Sequence, residues 1–299
     1  MNEHNHVKNL VNLGYIVDEK AIPRIEVLNE EDFFKLLESL KKDNAFIVDE
    51  SYLKKLFSGD IKVITTLKKR YSFTVQDYVK ALNERYSFLQ SILVKKLELS
   101  DVVSINKIGF SEVTVIGMVK SKEEKADKFY MTIEDPTGEI DTVVSKTLGE
   151  KINVDDVLAV SGRLGSKLLL VDRLLFPDVS IKPVVFTEDS VKVSFGDKDV
   201  KADYQVRATK VIDNIKKKET PVSSPCAFRI GDVNFLMLLG SDPLDALKKR
   251  YVKSGEDCMN IEAVPDIVIS DSVNSNYKGI SIVSLDRVID LKTREIQVI

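Results

Sequence analysis

The chain has 299 residues, 43% of them apolar and 30% charged, a composition that builds packed cores and is not that of a disordered polymer. Its 44 Lys and Arg nearly balance 47 Asp and Glu, leaving a net charge of −3 and excluding a generally basic coat for nucleic acid. The two His stand within the first six residues, which excludes a multi-histidine metal centre or a Ser-His-Asp triad in the body of the chain.

The length suggests two or three domains. The opening Met1-Asn-Glu-His-Asn-His6 is polar and lacks an apolar core segment, so no secretory leader is expected. His4 and His6 are expected on a disordered terminal tail rather than in a site. Val7, Leu10, Val11 and Leu13 mark a short amphipathic helix that stops at Gly14. Asn29 opens a second helix, with Glu30, Glu31 and Asp32 in its first turn and Phe33, Phe34, Leu36, Leu37 and Leu40 as its apolar stripe. Ala45 to Val48 reads as a short buried strand or helix entry, and Ser51 to Phe57 as another small helix. Thr74 to Leu99 is the longest periodic element, with a capping sequence at Thr74-Val-Gln-Asp77. Its basic residues, Lys80, Arg85, Lys95 and Lys96, are interrupted by Glu84 and Glu98 and read as a solvated face.

The pattern changes near Gly109. Ser111 to Lys120 is rich in β-branched residues, and Phe129, Met131 and Ile133 alternate with polar neighbours. Asp135-Pro-Thr-Gly138 is a turn, followed by alternation at Ile140, Thr142 and Val144. Val157 to Leu164 and Leu168 to Leu175 flank a hairpin loop at Gly165-Ser166. Five short antiparallel strands with an insert after the third predict an OB-type barrel.

From Ile181 the rhythm is mixed α/β. Val184 to Thr187, Ala227 to Ile230, Val233 to Leu239, Ile267 to Ile269, Gly279 to Val283 and Arg287 to Leu291 read as strands. Val200 to Lys218 and Leu244 to Tyr251 read as helices. Cys226 and Cys258 stand far apart with no C-x-x-C and read as ordinary core thiols of a reducing compartment. Asp197, Asp199, Asp232, Asp242 and Asp245 sit beside Gly and Pro or at helix starts, so turns and caps explain them better than a cation site. No apolar run approaches 18 residues, and the protein is expected to be soluble and cytoplasmic.

Thr114-Val-Ile-Gly-Met-Val119, Ile133-Glu-Asp-Pro-Thr-Gly-Glu139, Val160-Ser-Gly-Arg-Leu164 and Phe176-Pro-Asp-Val179 resemble the OB domain of the small subunit of archaeal family D DNA polymerase. Leu10 to Tyr15 with Ala45 to Asp49 resembles that family's N-terminal helical domain. Phe73 to Val79 with Asn83 to Tyr86 resembles its pre-barrel helix, and Val264-Pro-Asp-Ile267 with Tyr277-Lys-Gly-Ile280 resembles parts of its C-terminal phosphoesterase domain. The resemblance implies an α+β multidomain fold: an N-terminal helical domain at 1–72, a connecting helix at 73–108, an OB barrel at 109–180 and a truncated calcineurin-like phosphoesterase domain at 181–299.

In the family that last domain is a two-metal 3′–5′ exonuclease. Here the opening Asp-x-His motif falls on Glu188 to Val191, keeping Asp189 but placing Val191 where His belongs. The late His-Gly element falls on Leu239-Gly240, and the terminal Gly-His-x-His on Asp271 to Asn274, so Ser272 and Asn274 replace both imidazoles. The family's middle metal-binding blocks have no counterpart. Serine and aliphatic side chains do not hold Mn²⁺ in place of imidazole. No cofactor, no metal and no intrinsic activity are therefore expected.

The resemblance implies a non-catalytic subunit that holds a catalytic large subunit and meets DNA mainly through that complex, with no membrane contact. A stand-alone single-stranded DNA-binding OB protein and a residual metal-dependent nuclease are the alternatives. Residues 109–180 hold nine Lys and Arg against 13 Asp and Glu, a poor electrostatic funnel for DNA. Arg163, Lys167 and Arg173 are the barrel's candidate DNA contacts.

Overall fold

A computed structural model describes residues 6–26, 28, 30–57, 59, 61–67, 74–97, 102–109, 112–165, 168–254, 257–272 and 274–299. The N-terminal unit starts with α1 (His6–Asn12), β1 (Ile16–Val17), α2 (Ile22–Glu26) and α3 (Glu30–Asp43). It continues through β2 (Ile47–Val48) and α4 (Glu50–Phe57). Gly14, at φ +88°, turns the chain out of α1 as expected of a glycine stop. Leu10, Ile25, Phe33, Leu36, Leu40, Val48 and Leu53 form one buried cluster under these helices. β1 and β2 pair in parallel, Ile16 opposite Ile47 and Val17 opposite Val48.

His6 departs from the expectation of a tail. It opens α1 and is buried, its ring stacked on Phe33 with centroids 4.2 Å apart, and its Nε2 donates to the Leu28 carbonyl at 3.0 Å. Its apolar contacts make it a core histidine. His4 lies outside the described residues.

β3 (Ile61–Thr66) leaves the helical unit altogether, as described below. α5 (Val75–Lys96) is then capped reciprocally: Asp77 N donates to Thr74 Oγ1 at 3.2 Å and Thr74 N to Asp77 Oδ2 at 3.1 Å. Tyr86, Leu89 and Leu93 bury one face of α5 against Ile116, Met118, Val157 and Ala159 of the barrel and against Tyr251. Each such buried apolar side chain contributes about 1.5–3 kcal/mol.

The barrel comprises β4 (Glu112–Lys125), β5 (Lys128–Asp135), β6 (Gly138–Ser145), α6 (Lys146–Gly149), β7 (Val157–Leu164) and β8 (Leu168–Leu175). It closes in the order β4-β5-β6-β8-β7, with the short helix between third and fourth strands, which is OB topology. The expectation of five antiparallel strands holds except at β6 and β8, which run parallel, as the closure requires. Asp135 Oδ1 accepts from the Thr137 and Gly138 amides and so ties the β5–β6 turn. Val115, Val119, Met131, Ile133, Leu158, Val160 and Leu169 fill the interior.

The C-terminal unit has β9 (Lys192–Phe195), β10 (Tyr204–Val206), β11 (Lys210–Asp213), β12 (Lys218–Pro221), β13 (Cys226–Ile230), β14 (Val233–Leu238) and α7 (Pro243–Lys249). It ends with β15 (Tyr251–Ser254), β16 (Asp257–Asn260), β17 (Ile267–Ser270), β18 (Ser275–Tyr277), β19 (Ile280–Ser284), β20 (Arg287–Asp290) and β21 (Ile296–Val298). Among the described residues these make two six-stranded sheets, ordered β12-β11-β10-β9-β20-β21 and β18-β19-β17-β14-β13-β3. Phe195, Tyr204, Phe228, Phe235, Met237, Ile269 and Ile289 fill the space between them. The outer side of the second sheet packs Leu236, Val268 and Ile282 against Leu247, Val252 and Met259 of α7 and the β15–β16 hairpin. β3 pairs with β13, Ile61 opposite Ile230, so a strand from the first 72 residues completes the C-terminal sheet.

Two elements differ from the reading of the sequence. The helix expected over Val200 to Lys218 is instead β10, β11 and the start of β12. Val200 with Tyr204 and Val211 with Ile215 stand four apart and mimic a helical stripe, but Tyr204 to Val206 is buried on both faces. Asp213 Oδ1 accepts from the Ile215 and Lys216 amides and Lys217 takes φ +53°, which makes a turn where the helix was expected to continue. Val184 to Thr187 forms no strand. It is an extended connector whose Thr187 amide donates to Leu291 O at 3.2 Å.

Candidate functional site

Strands β14, β17 and β19 run parallel, Phe235 opposite Ile267 and Ile267 opposite Ser281. In open sheets of this kind ligands bind beyond the C-terminal strand ends. Leu239, Ser272 and Asn274 all fall at that edge. Their polar groups hold the loops to one another. Leu239 N donates to Ser224 Oγ at 2.8 Å, Gly240 N to Asp271 Oδ2 at 3.1 Å, and Ser284 N to Asn274 Oδ1 at 2.7 Å. The Ser270 and Ser272 hydroxyls lie 2.9 Å apart.

Asp189 is not with them. It precedes β9, and its carboxylate pairs with Arg24 of α2 at 2.6 Å. The first residues of β9 lie beside Tyr204, whose hydroxyl donates to Gly59 O at 2.8 Å. Gly59 in turn packs on Gly231, just before β14 begins. Asp189 therefore sits at the opposite end of β14 from Leu239, a strand length of about 20 Å. Val191 points into the core between the sheets.

The strongest polar assembly lies where barrel, α5 and C-terminal unit meet. Asp156, just before β7, is fully buried. Its Oδ1 accepts from Tyr251 Oη at 2.6 Å and its Oδ2 from Asn153 N at 2.6 Å, with Lys249 Nζ 3.0 Å away. Lys249 also reaches Asp245 at 3.1 Å, and the buried Arg85 guanidinium lies 4.7 Å over the Tyr251 ring. Burial raises the Asp156 carboxyl above the usual range, opposed by Lys249 and the Tyr251 hydroxyl. Burial, with the Asp156 charge, also raises the Tyr251 phenol.

A second contact ties the barrel's exit to the same unit. The Asp178 carboxylate accepts from Tyr277 Oη at 3.0 Å and from Lys278 Nζ, its amide donates to Lys248 O at 2.6 Å, and its carbonyl accepts from Lys96 Nζ of α5 at 2.9 Å. Burial first, then Asp178, pushes the Tyr277 phenol up to about 12. These two junctions make barrel, α5 and C-terminal unit one block. The sequence reading put Arg85 and Lys96 on a solvated helix face and met Asp178, Tyr277 and Lys278 only within family-like segments; Arg85 is instead buried over Tyr251, and Lys96 donates to Asp178 O. Asp156 at the head of the apolar run from Val157 was the available signal.

No protein-family model matches the chain. It is 28% identical over 181 residues to the DNA polymerase II small subunit of Archaeoglobus fulgidus, covering 58% of this chain and 35% of that protein. Over 282 residues it is 26% identical to the DNA polymerase II small subunit of Methanothermobacter thermautotrophicus, covering 72% of this chain and 58% of that protein. The chain is similar to archaeal DNA polymerase II small subunits. It spans less than two thirds of the length of either of these relatives. The second OB-fold domain of replication protein A from Methanococcus maripaludis is 18% identical with a TM-score of 0.23, covering 27% of this chain and 99% of that one.

A two-metal centre of the kind the polymerase small-subunit family implies does not fit the residues present. The C-terminal strand edge offers two serine hydroxyls, an amide whose oxygen already accepts from Ser284, and Asp271, whose Oδ2 accepts from Gly240. Among the described residues no group of three or more His, Cys, Asp or Glu is placed to hold a metal ion. Hard or borderline divalent ions need several convergent anionic or imidazole donors.

On the barrel, Arg163 and Arg173 are exposed on β7 and β8. Arg163 stands directly across from Glu112 in the ladder. Arg173 reaches Glu112 at 3.4 Å and Asp172 at 3.8 Å, so acidic neighbours offset both charges. Lys167 lies outside the described residues. Among the described residues no helix is long and apolar enough to cross a membrane.

Proposed function

We propose that this protein is a non-catalytic accessory subunit that scaffolds the catalytic large subunit of a family D DNA polymerase. Its C-terminal unit is, in this reading, a shortened calcineurin-like phosphoesterase domain whose 3′–5′ exonuclease site has been lost. The observation that carries the proposal is the joining of the OB barrel to the two-sheet unit through Asp156 and Asp178 in a relative of polymerase small subunits. A scaffold needs this rigidity, because a partner spanning two domains binds best when their relative placement is already set. Loss of the nuclease site is supported by Leu239, Ser272 and Asn274 at the strand edge and by Asp189 lying at the far end of the sheet. DNA is reached through the complex, since Arg163 and Arg173 are offset by carboxylates.

Co-expression with the cognate large subunit tests the proposal. The two chains are expected to co-purify at moderate salt, and separation at that salt would overturn it. The purified chain alone is expected to leave a labelled 3′ end intact in Mn²⁺.

A further inference from the structure

We infer that the N-terminal helical unit is a hinged arm, latched to the C-terminal unit by ion pairs and released by salt. The buried cluster under α1 to α4 draws its members from residues 7–57 alone. Among the described residues no buried apolar cluster joins that unit to the rest of the chain. A unit docked without a shared apolar core depends on polar contacts, the usual condition of a movable domain. Two ion pairs supply them. Arg24 of α2 reaches Asp189 at 2.6 Å, and Lys54 of α4 reaches Asp203 at 2.7 Å. Fixed backbone presents both carboxylates. Asp189 O accepts from Thr187 Oγ1 at 2.6 Å, whereas the Asp203 amide donates to Lys192 O and its Oδ2 accepts from Lys192 N, each at 2.9 Å.

β9 and β10 run parallel, Tyr204 opposite Val193, so the two acids stand at one edge of their sheet. Lys192 shares that edge, as do Lys216 and Lys217 in the turn after β11. The attraction therefore comes from the two direct pairs and not from a general acidic field. Both pairs are part-solvated: the Arg24 and Lys54 side chains are 19% and 32% exposed, and those of Asp189 and Asp203 48% and 17%. Salt weakens pairs of this kind. The pivot follows from where the chain becomes fixed. Gly59 O accepts from Tyr204 Oη at 2.8 Å, and a Cβ on Gly59 would lie 2.2 Å from the Gly231 backbone. Beyond it β3 is paired with β13 from Ile61 to Thr66. From Gly59 onward the chain thus belongs to the C-terminal unit, and α1 to α4 turn together about the link between α4 and Gly59. This arm lies outside the block assigned to the large subunit and does not depend on that assignment.

Small-angle X-ray scattering of the full chain in rising NaCl, with far-ultraviolet circular dichroism alongside, tests the inference. A compact chain of this length has a radius of gyration of about 19 Å. Between about 0.1 M and about 1 M salt the screening length falls from about 10 Å to about 3 Å. Over that range the radius is expected to rise by about a tenth, with the helix signal unchanged and no dependence on protein concentration. Arg24→Glu sets two carboxylates against each other and is expected to expand the chain already at the lower salt. Adding Asp189→Arg re-forms the pair in reverse and is expected to restore the compact radius. The salt series needs no substitution and keeps the test valid if a variant fails to fold. A radius unchanged by salt, or unchanged in folded Arg24→Glu, would overturn the inference. So would failure of folded Arg24→Glu/Asp189→Arg to return to the compact radius. Expansion with loss of the helix signal, which is unfolding, or expansion that grows with protein concentration, which is self-association, would overturn it as well.

Discussion

The Tyr251 hydroxyl donates a 2.6 Å hydrogen bond to the fully buried Asp156 carboxylate, joining the first residue of β15 to the residue that leads into barrel strand β7. Lys249 neutralises the same carboxylate from the end of α7, and Arg85 of α5 covers the tyrosine ring. One buried charge thus draws together three parts of the chain that are far apart in sequence.

Asp156→Ala leaves the Lys249 ammonium buried without its main partner, and should destabilise the protein by about 3–5 kcal/mol. Tyr251→Phe should lose less, about 1–3 kcal/mol, because it removes one donor and keeps the ring under Arg85. Urea unfolding measures both. Combining Asp156→Asn with Lys249→Met should be less damaging than the sum of the single changes, by about 0.5–3 kcal/mol, because neither charge is then stranded. Strict additivity would contradict the account of this junction.

The barrel depends on Gly162, where β7 shifts register against β8. A Cβ there would lie 2.0 Å from Leu170 O, a backbone atom that cannot move without breaking the ladder. Gly162→Ala should therefore cost about 1–3 kcal/mol, read from the denaturant midpoint. An unchanged midpoint would mean that the bulge is softer than its geometry implies.

Burial pushes the Cys226 thiol and the Tyr86 phenol up to about 12 each. In the unfolded chain these groups ionise near about 8.5 and 10. Between those values and about 12 the unfolded chain holds fewer protons, so stability is full below the lower value and falls as pH rises through this window. The urea midpoint should drop between about pH 7 and pH 10, and a flat or rising midpoint would contradict the burial of both groups. Cys226 should also resist thiol reagents at about pH 8 until the chain unfolds.

The residues at the C-terminal edge of β14, β17 and β19 predict indifference to divalent metal. A site filled to a hundred times its dissociation constant adds about 2.7 kcal/mol, a rise of several degrees in melting temperature. Melting in excess Mn²⁺ and in a chelator should instead agree to within about 1 °C. A clear rise with Mn²⁺ would revive a metal-dependent nuclease.

Local pattern made some of this fold legible and left other parts hidden. The barrel showed itself because Phe129, Met131 and Ile133 alternate with polar, less buried neighbours and because Asp135-Pro-Thr-Gly138 has one favoured geometry. The capping box at Thr74 was readable for the same reason: its partners are three residues apart. At 200–218 the local signal misled, since apolar residues four apart satisfy a helix until both faces of β10 prove to be buried. β3 carried a strand's alternation at Ile61, Lys62 and Val63, but its partner β13 lies more than 150 positions later in the chain, beyond any local pattern. His6 looked like part of a polar tail because nothing in the sequence shows that Phe33 and Leu28 surround it. Leu239, Ser272 and Asn274 at the strand edge were singled out through family resemblance, whereas the Asp156 and Asp178 junctions exist only in three dimensions.

The central claim is that the barrel and the two-sheet unit act together as a platform for a large polymerase subunit. Light scattering on a mixture of the separately purified chain and its cognate large subunit tests it most directly. The account predicts one peak whose mass is the sum of the two chains, and two peaks at the masses of the separate proteins would contradict it.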